Sequence, residues 1–169
     1  MKKLLIFAML LLMGHGAFAQ GGLTIDNSNG KCGVWVKMLG YDPLFPPDAF
    51  TCKLNSFTFL VPPGVIWTWC SVWEFQGSSP SCATPAIGWA FGVPIPAGST
   101  TFQWTDVTFQ WDRCNDCNAG GNMSNNALCG FSCWSGPQIF TSPACPANTA
   151  MWLPACLMPF ANLTIVFTS

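Results

Sequence analysis

The sequence predicts an all-β fold, a disulfide-stapled β-sandwich of about seven short strands. Runs rich in aromatic and β-branched residues alternate along the chain with clusters of Pro, Gly, Asn and Ser, which is the pattern of strands separated by turns. Ten cysteines follow a segment with the form of an export signal, and an even number of cysteines in an exported chain predicts disulfide bonds. No segment beyond that signal shows helical periodicity over a useful length.

Residues 1–19 are predicted to be a secretory signal that is removed. Lys2 and Lys3 precede an apolar run over 4–13, and Ala-Phe-Ala at 17–19 is a small-x-small cleavage site. The run is too short to span a membrane, because a spanning helix needs about 20 apolar residues. We therefore expect 20–169 to be a single exported domain with no transmembrane segment, located in the periplasm, at the cell surface or outside the cell.

Two short strands are expected first. Residues 23–25 alternate briefly and are followed by a turn cluster of Asp, Asn, Ser and Gly at 26–30. Residues 32–39 alternate fully, so every second side chain from Val34 to Met38 lies on one face and Trp35 lies on the other.

The stretch 57–75 is the most strand-like part of the chain. A Pro-Pro-Gly turn at 62–64 separates two predicted strands, 55–61 and 66–75. In the first, alternation places Phe57 and Phe59 on the same side. Both faces of the second are apolar, which is typical of a strand inside a sandwich or of one that meets a partner.

The second half adds strands at 87–93, 102–111 and 161–169. In 102–111 the apolar alternation slips by one residue at Thr105-Asp106, and a β-bulge there would keep all the large apolar side chains on one side. Residues 112–150, rich in Cys, Asn, Gly and Pro, are predicted to be a long, disulfide-tied irregular excursion with one short strand at 138–141.

All the cysteines lie after the predicted cleavage site, and we expect all of them to form disulfides. Five such bridges would stabilise a fold with long loops, at about 2–4 kcal/mol each. Cys32 and Cys52 are expected to close one clip, whereas the remaining connectivity cannot be read from sequence. The ten positions are Cys32, Cys52, Cys70, Cys82, Cys114, Cys117, Cys129, Cys133, Cys145 and Cys156.

Two groups of residues resemble metal sites, but each has a simpler explanation. Cys114-x2-Cys117 with Cys129-x3-Cys133 has the spacing of a four-thiolate zinc site, but oxidation after export favours disulfides. Oxygen ligands for calcium occur together in one region, although their spacing matches no known loop and solvated turn residues explain them better. These are Asp106, Asp112, Asn115, Asp116 and Asn118. We therefore predict no metal and no cofactor.

Nine tryptophans are present, and three form the best candidate for a ligand-stacking row: Trp67, Trp69 and Trp73. Alternation over 66–75 places these three indoles on one strand face, where they could stack on sugar rings. The competing explanation is packing in the core, where large aromatic side chains are usually found.

Charge and histidine content restrict the function. The chain has only 6 Lys+Arg and 7 Asp+Glu, too few basic groups for a nucleic-acid-binding face. Its single histidine, His15, lies in the predicted signal, which removes histidine-based catalysis from the mature chain. We therefore expect a non-enzymatic structural or interaction protein that binds itself or another surface protein through apolar strand faces or edges. The alternative is a polysaccharide-binding module that uses the tryptophan row.

Overall fold

The computed structural model describes residues 22–41, 54–77, 102–112, 119–124, 137–153 and 163–169, together with Ile87 and Ile95. These residues form ten strands and one four-residue helix, so the all-β prediction is confirmed. The predicted signal lies outside the described residues, as does the predicted strand 87–93 apart from Ile87. The elements are β1 Leu23–Asn29, β2 Val34–Tyr41, β3 Leu54–Asn55, β4 Phe59–Val61, β5 Ile66–Trp69, α1 Val72–Phe75, β6 Gln103–Trp111, β7 Gly120–Ser124, β8 Gln138–Thr141, β9 Thr149–Leu153 and β10 Leu163–Thr168.

The strands form two five-stranded sheets. Sheet A has the order β5-β1-β10-β9-β8, and sheet B has the order β3-β2-β6-β7 with β4 also paired to β2. β1 runs parallel to β10, with Leu23 opposite Leu163. The other strand pairs described in the two sheets are antiparallel. The first and last described strands therefore lie side by side in the interior of sheet A.

The two sheets face each other across one aromatic core. Phe109 of β6 packs edge-on against Phe167 of β10, with ring centroids 5.2 Å apart, and Phe59 of β4 packs in the same way on Trp69 of β5 at 6.2 Å. Strand alternation turns every second side chain toward this core. The alternation predicted for β2 and the half-buried final strand β10 are confirmed, and the buried positions are Val34, Val36, Met38, Leu163, Ile165 and Phe167.

The predicted bulge in β6 is also present. β2 pairs with β6 regularly as far as Leu39 opposite Asp106, but the next residue, Gly40, lies opposite Trp104. Thr105 is therefore an extra residue in β6, and Trp104 and Val107 both face the core although they are three positions apart.

The predicted strand 55–61 is divided in two. Residues 56–58 leave the sheet between β3 and β4, and Phe57 is 61% exposed instead of sharing the buried face of Phe59. Ser56 explains the break, because its Oγ accepts a hydrogen bond from the Met38 N–H at 2.8 Å and donates one to the Phe57 carbonyl at 2.8 Å. A hydroxyl that satisfies backbone groups in this way replaces a step of the ladder.

The excursion predicted over 112–150 is less irregular than expected. β8 coincides with the predicted strand 138–141, but neither β7 nor β9 is predicted by the sequence, and the strand count rises accordingly. β7 begins with two glycines, which are poor strand formers, so its pairing with β6 rather than its propensity holds it in the sheet. A Cβ at Gly120 would lie 2.5 Å from the Phe109 carbonyl oxygen, so this close backbone approach requires glycine.

Candidate functional site

The predicted tryptophan row does not form on one strand. β5 ends at Trp69, and Trp73 lies in α1. Ser71 causes the change, because it is the N-cap of α1 and its Oγ accepts a hydrogen bond from the Glu74 N–H at 3.2 Å. The turn into α1 takes Trp73 out of the strand alternation that the prediction assumed.

Trp67 and Trp69 both face inward from β5. Trp69 is 1% exposed and packs edge-on against Phe75 at 5.1 Å, and the half-buried Trp67 stacks on Phe59 at 6.4 Å. The expectation of a solvent-facing row is therefore corrected: Trp69 belongs to the core, and Trp73 is half-buried at a different place. The competing explanation, core packing, accounts for Trp69.

Glu74 and Asp26 have structural partners in the described part of the chain. Glu74 is buried, and its Oε2 accepts a hydrogen bond from the Cys70 N–H at 2.6 Å. Asp26 Oδ1 accepts hydrogen bonds from the N–H and the hydroxyl of Ser28, at 2.9 and 2.6 Å. Both carboxylates therefore organise backbone locally, at the start of α1 and at the end of β1.

Within the described ranges, no group of three or more His, Cys, Asp or Glu side chains is arranged to hold a metal ion. Asp106 is buried and Asp112 is exposed. The remaining residues of the zinc-like and calcium-like groups lie outside the described ranges: Cys114, Asn115, Asp116, Cys117, Asn118, Cys129 and Cys133.

Three of the predicted disulfide cysteines can be placed. Cys32, which precedes β2, and Cys70, which follows β5, are half-buried, whereas Cys145, between β8 and β9, is buried. The expected clip between Cys32 and Cys52 is not tested, since Cys52 is outside the described residues along with Cys82 and Cys156.

The outer face of sheet A is formed by the residues that alternate with the core positions. Register pairing places an aliphatic rank across all five strands, interrupted only at β1 by Asp26. This aliphatic rank is Ile66, Asp26, Val166, Met151 and Ile139. Its two ends are the most open, with Ile66 56% and Ile139 64% exposed.

A threonine rank lies on each side of the aliphatic rank. On one side Thr68, Thr24 and Thr164 are in register on β5, β1 and β10. On the other side Thr168, Thr149 and Thr141 are in register on β10, β9 and β8. Asp26 is the one charged side chain among these outward-facing positions, so this face is hydroxyl-bearing and aliphatic.

The outer face of sheet B has a different chemistry. Trp35 of β2 is 41% exposed and lies opposite Leu60 of β4 and Gln110 of β6. Two residues further along β2, on the same face, Lys37 lies opposite Thr108, and Thr108 lies opposite Asn122 of β7. We refer to five of these residues as the Trp35 patch: Trp35, Lys37, Thr108, Gln110 and Asn122.

The sequence prediction missed Trp35 as a candidate binding residue, although a signal was available. Alternation already placed Trp35 with Lys37, opposite the apolar face of Val34 and Val36. A lysine on the same strand face indicates the solvent side, because charged side chains are rarely buried unless paired.

No protein family, no curated protein and no solved structure matches the chain. The described residues include no helix with the length and hydropathy needed to cross a membrane.

Proposed function

We propose that this chain is an exported, non-enzymatic structural protein that associates with further copies of itself through the outer face of sheet A. The observation that carries the proposal is the composition of that face: an aliphatic rank with exposed isoleucines at both ends and Asp26 as its single charge. Exposed, uncharged strand surfaces favour association, and proteins that remain monomeric usually carry lysines on them.

A second copy suits this face better than an unrelated partner. A two-fold rotation about an axis along β10 places Ile66 of one copy on Ile139 of the other and Val166 on Val166, so the aliphatic ranks of two copies meet. The carboxylate of Asp26, the one charge on the face, is held by Ser28. Two outer faces can therefore approach as stacked sheets do, about 10 Å apart.

The size of the face predicts the strength of the association. Five strands about 4.8 Å apart, with four to seven residues each at about 3.3 Å, present roughly 400 Å² of plan area. This is less than the roughly 800 Å² per partner of a standard interface. We therefore expect a concentration-dependent assembly rather than a permanent dimer.

Sedimentation velocity over a range of concentrations tests this proposal. The mature protein is expected to sediment faster as its concentration rises. Ile66→Lys combined with Ile139→Lys should abolish this dependence, because each introduces a charge at an exposed end of the aliphatic rank. Phe57→Lys is the matched control, since Phe57 is equally exposed but lies between β3 and β4 of sheet B.

A mature protein that stays monomeric at the highest concentration would remove the proposal. So would an assembly that the two lysines leave intact, or one that Phe57→Lys disrupts as strongly. Thermal unfolding of each variant, expected to be close to that of the parent because the sites are exposed, separates loss of association from loss of folding.

Export and the disulfide framework are part of the same proposal. The signal-like segment at the start of the sequence supports export, and an even number of cysteines after that segment supports a disulfide framework. The absence of histidine after the predicted signal supports a non-enzymatic role. Cell fractionation with N-terminal sequencing should find the protein outside the cytoplasm and beginning at Gln20; a cytoplasmic product that retains Lys2 and Lys3 would contradict export.

A further inference from the structure

We propose that the Trp35 patch is a binding site for a neutral saccharide chain. This site is on sheet B, whereas the proposed self-association uses sheet A, so each is independent of the other. The site is defined by an exposed indole and by hydrogen-bonding side chains that the strand register places beside it.

The indole provides the stacking surface. Trp35 is 41% exposed, unlike Trp104 and Trp111 on the neighbouring strand, which are buried in the core. A partly exposed indole on a sheet face offers a flat apolar surface together with one N–H donor. A pyranose ring with equatorial hydroxyls matches it, because its axial C–H bonds form an apolar face and its hydroxyls lie around the rim.

The neighbouring strands provide the hydrogen-bonding groups. Gln110 is directly opposite Trp35, about 5 Å away across the strands, and Thr108 and Asn122 continue on β6 and β7 in the next rank, about 7 Å along the strand. Gln110, Thr108 and Asn122 are exposed. Side-chain amides and hydroxyls both donate and accept, as sugar hydroxyls do, so they pair with a sugar in either orientation.

The neighbour of Gln110 on β7 adds no side chain to the patch. Gly120 is opposite Gln110 on β7, and a Cβ there is prevented by the Phe109 carbonyl oxygen. The rank that begins at Trp35 therefore ends in a position without a side chain. A saccharide stacked on Trp35 can run over Gln110 toward β7 without a steric obstacle from this position.

The charge of the patch favours a neutral ligand. Lys37 is its one ionic side chain and is half-buried. One ammonium group is insufficient to hold a polyanionic chain, which would need a cluster of Lys or Arg. A lysine can instead donate hydrogen bonds to sugar hydroxyls. The chemistry of the patch therefore matches a neutral oligosaccharide of equatorially hydroxylated pyranoses.

Isothermal titration with soluble oligosaccharides tests the proposal. Cellohexaose and xylohexaose, whose ring hydroxyls are equatorial, are the neutral probes, and an oligoglucuronate of the same ring stereochemistry is the acidic probe. The mature protein is expected to bind at least one neutral probe. Trp35→Ala should weaken that binding by about tenfold or more, as removal of a central stacking aromatic does, and Gln110→Ala should weaken it less. Trp35→Tyr should restore part of the affinity.

Phe57→Ala is the matched control, because it removes an exposed aromatic outside the patch and should leave the affinity unchanged. The proposal is overturned if no neutral probe binds, if only the acidic probe binds, or if Trp35→Ala binds as tightly as the parent protein. Should Trp35→Ala fail to fold, Gln110→Ala and Asn122→Ala give the same test. The double variant with Ile66→Lys and Ile139→Lys should still bind the saccharide, which distinguishes this site from self-association.

Discussion

Asn27 is a fully buried polar side chain at which the end of β1 meets two turns of the chain. Its Nδ2 donates to the carbonyl oxygens of Cys32, Val61 and Pro62 at 3.0, 3.3 and 2.9 Å. Its backbone carbonyl accepts from the N–H of Gly64 at 2.9 Å. Since buried carbonyls are costly to leave without a donor, this one amide fixes the end of β1 against the turns that precede β2 and β5.

We expect Asn27→Ala to lower the free energy of unfolding by about 2–4 kcal/mol, because three carbonyl oxygens lose their donor and the bond to Val61 is buried. Asn27→Asp should cost more than Asn27→Ala, since an acceptor of the same shape would face carbonyl oxygens. Urea unfolding with the disulfides intact measures both changes. Asn29→Asp, the same substitution at an exposed position of β1, serves as the control and should change stability by less than about 0.5 kcal/mol. An Asn27→Asp protein as stable as the parent would contradict this role.

At the scale of an element, β10 shows how alternation places adjacent residues either in the core or on the outer face of the sheet. Ile165 points into the core and lies between Ile25 of β1 and Trp152 of β9, whereas Val166 points outward, between Asp26 and Met151. Adjacent residues of one strand thus belong to two different environments. The inward residue contributes to folding, and the outward residue belongs to the face proposed for association.

This separation predicts different outcomes for two adjacent substitutions. Ile165→Asn should destabilise the fold by about 4 kcal/mol or more, because it removes buried apolar volume and introduces an amide without partners. Val166→Asn should cost less than about 1 kcal/mol and weaken self-association instead. Circular dichroism during heating reports the first effect, and sedimentation velocity reports the second. Equal destabilisation by the two variants would show that the assigned faces of β10 are incorrect.

At the scale of the whole molecule, strands that are far apart in the sequence pair with each other. β1 and β10 come from opposite ends of the described sequence and pair in parallel inside sheet A. Contacts between the sheets join other distant residues, such as Trp111 and Phe140, which stack at 6.4 Å. Closing such long loops costs conformational entropy, which crosslinks reduce by restricting the unfolded chain.

We therefore expect the disulfide framework to be required for stability. The mass of the mature protein should indicate that all ten cysteines are oxidised, and alkylation without a reductant should add no label. Reduction should lower the stability by about 2–4 kcal/mol for each bridge that breaks, and a thermal scan with and without dithiothreitol measures this change. A protein isolated with ten reactive thiols, or with the same melting temperature after full reduction, would exclude the framework.

Local pattern was sufficient for much of this architecture. The alternation in β2 and β10 and the phase slip at Thr105 could be read directly, because two-residue periodicity survives folding unchanged. Local pattern failed where a side chain competes with the backbone. Ser56 interrupts the strand at 55–61, and Ser71 converts the continuation of β5 into α1. The prediction of a tryptophan row on one strand was wrong because the helix that Ser71 caps takes Trp73 out of β5.

The sequence by itself determined the all-β class, which residues share a face in several strands and the position of the bulge, because these depend on neighbours along the chain. Only the tertiary structure decided that Trp69 is in the core while Trp35 is open to solvent, and that Gly120 and Gly121 belong to a strand. The physical reason is that either face of a strand can become the buried one until another sheet packs against it. Which aromatic side chains remain available for binding is therefore settled by packing between distant strands.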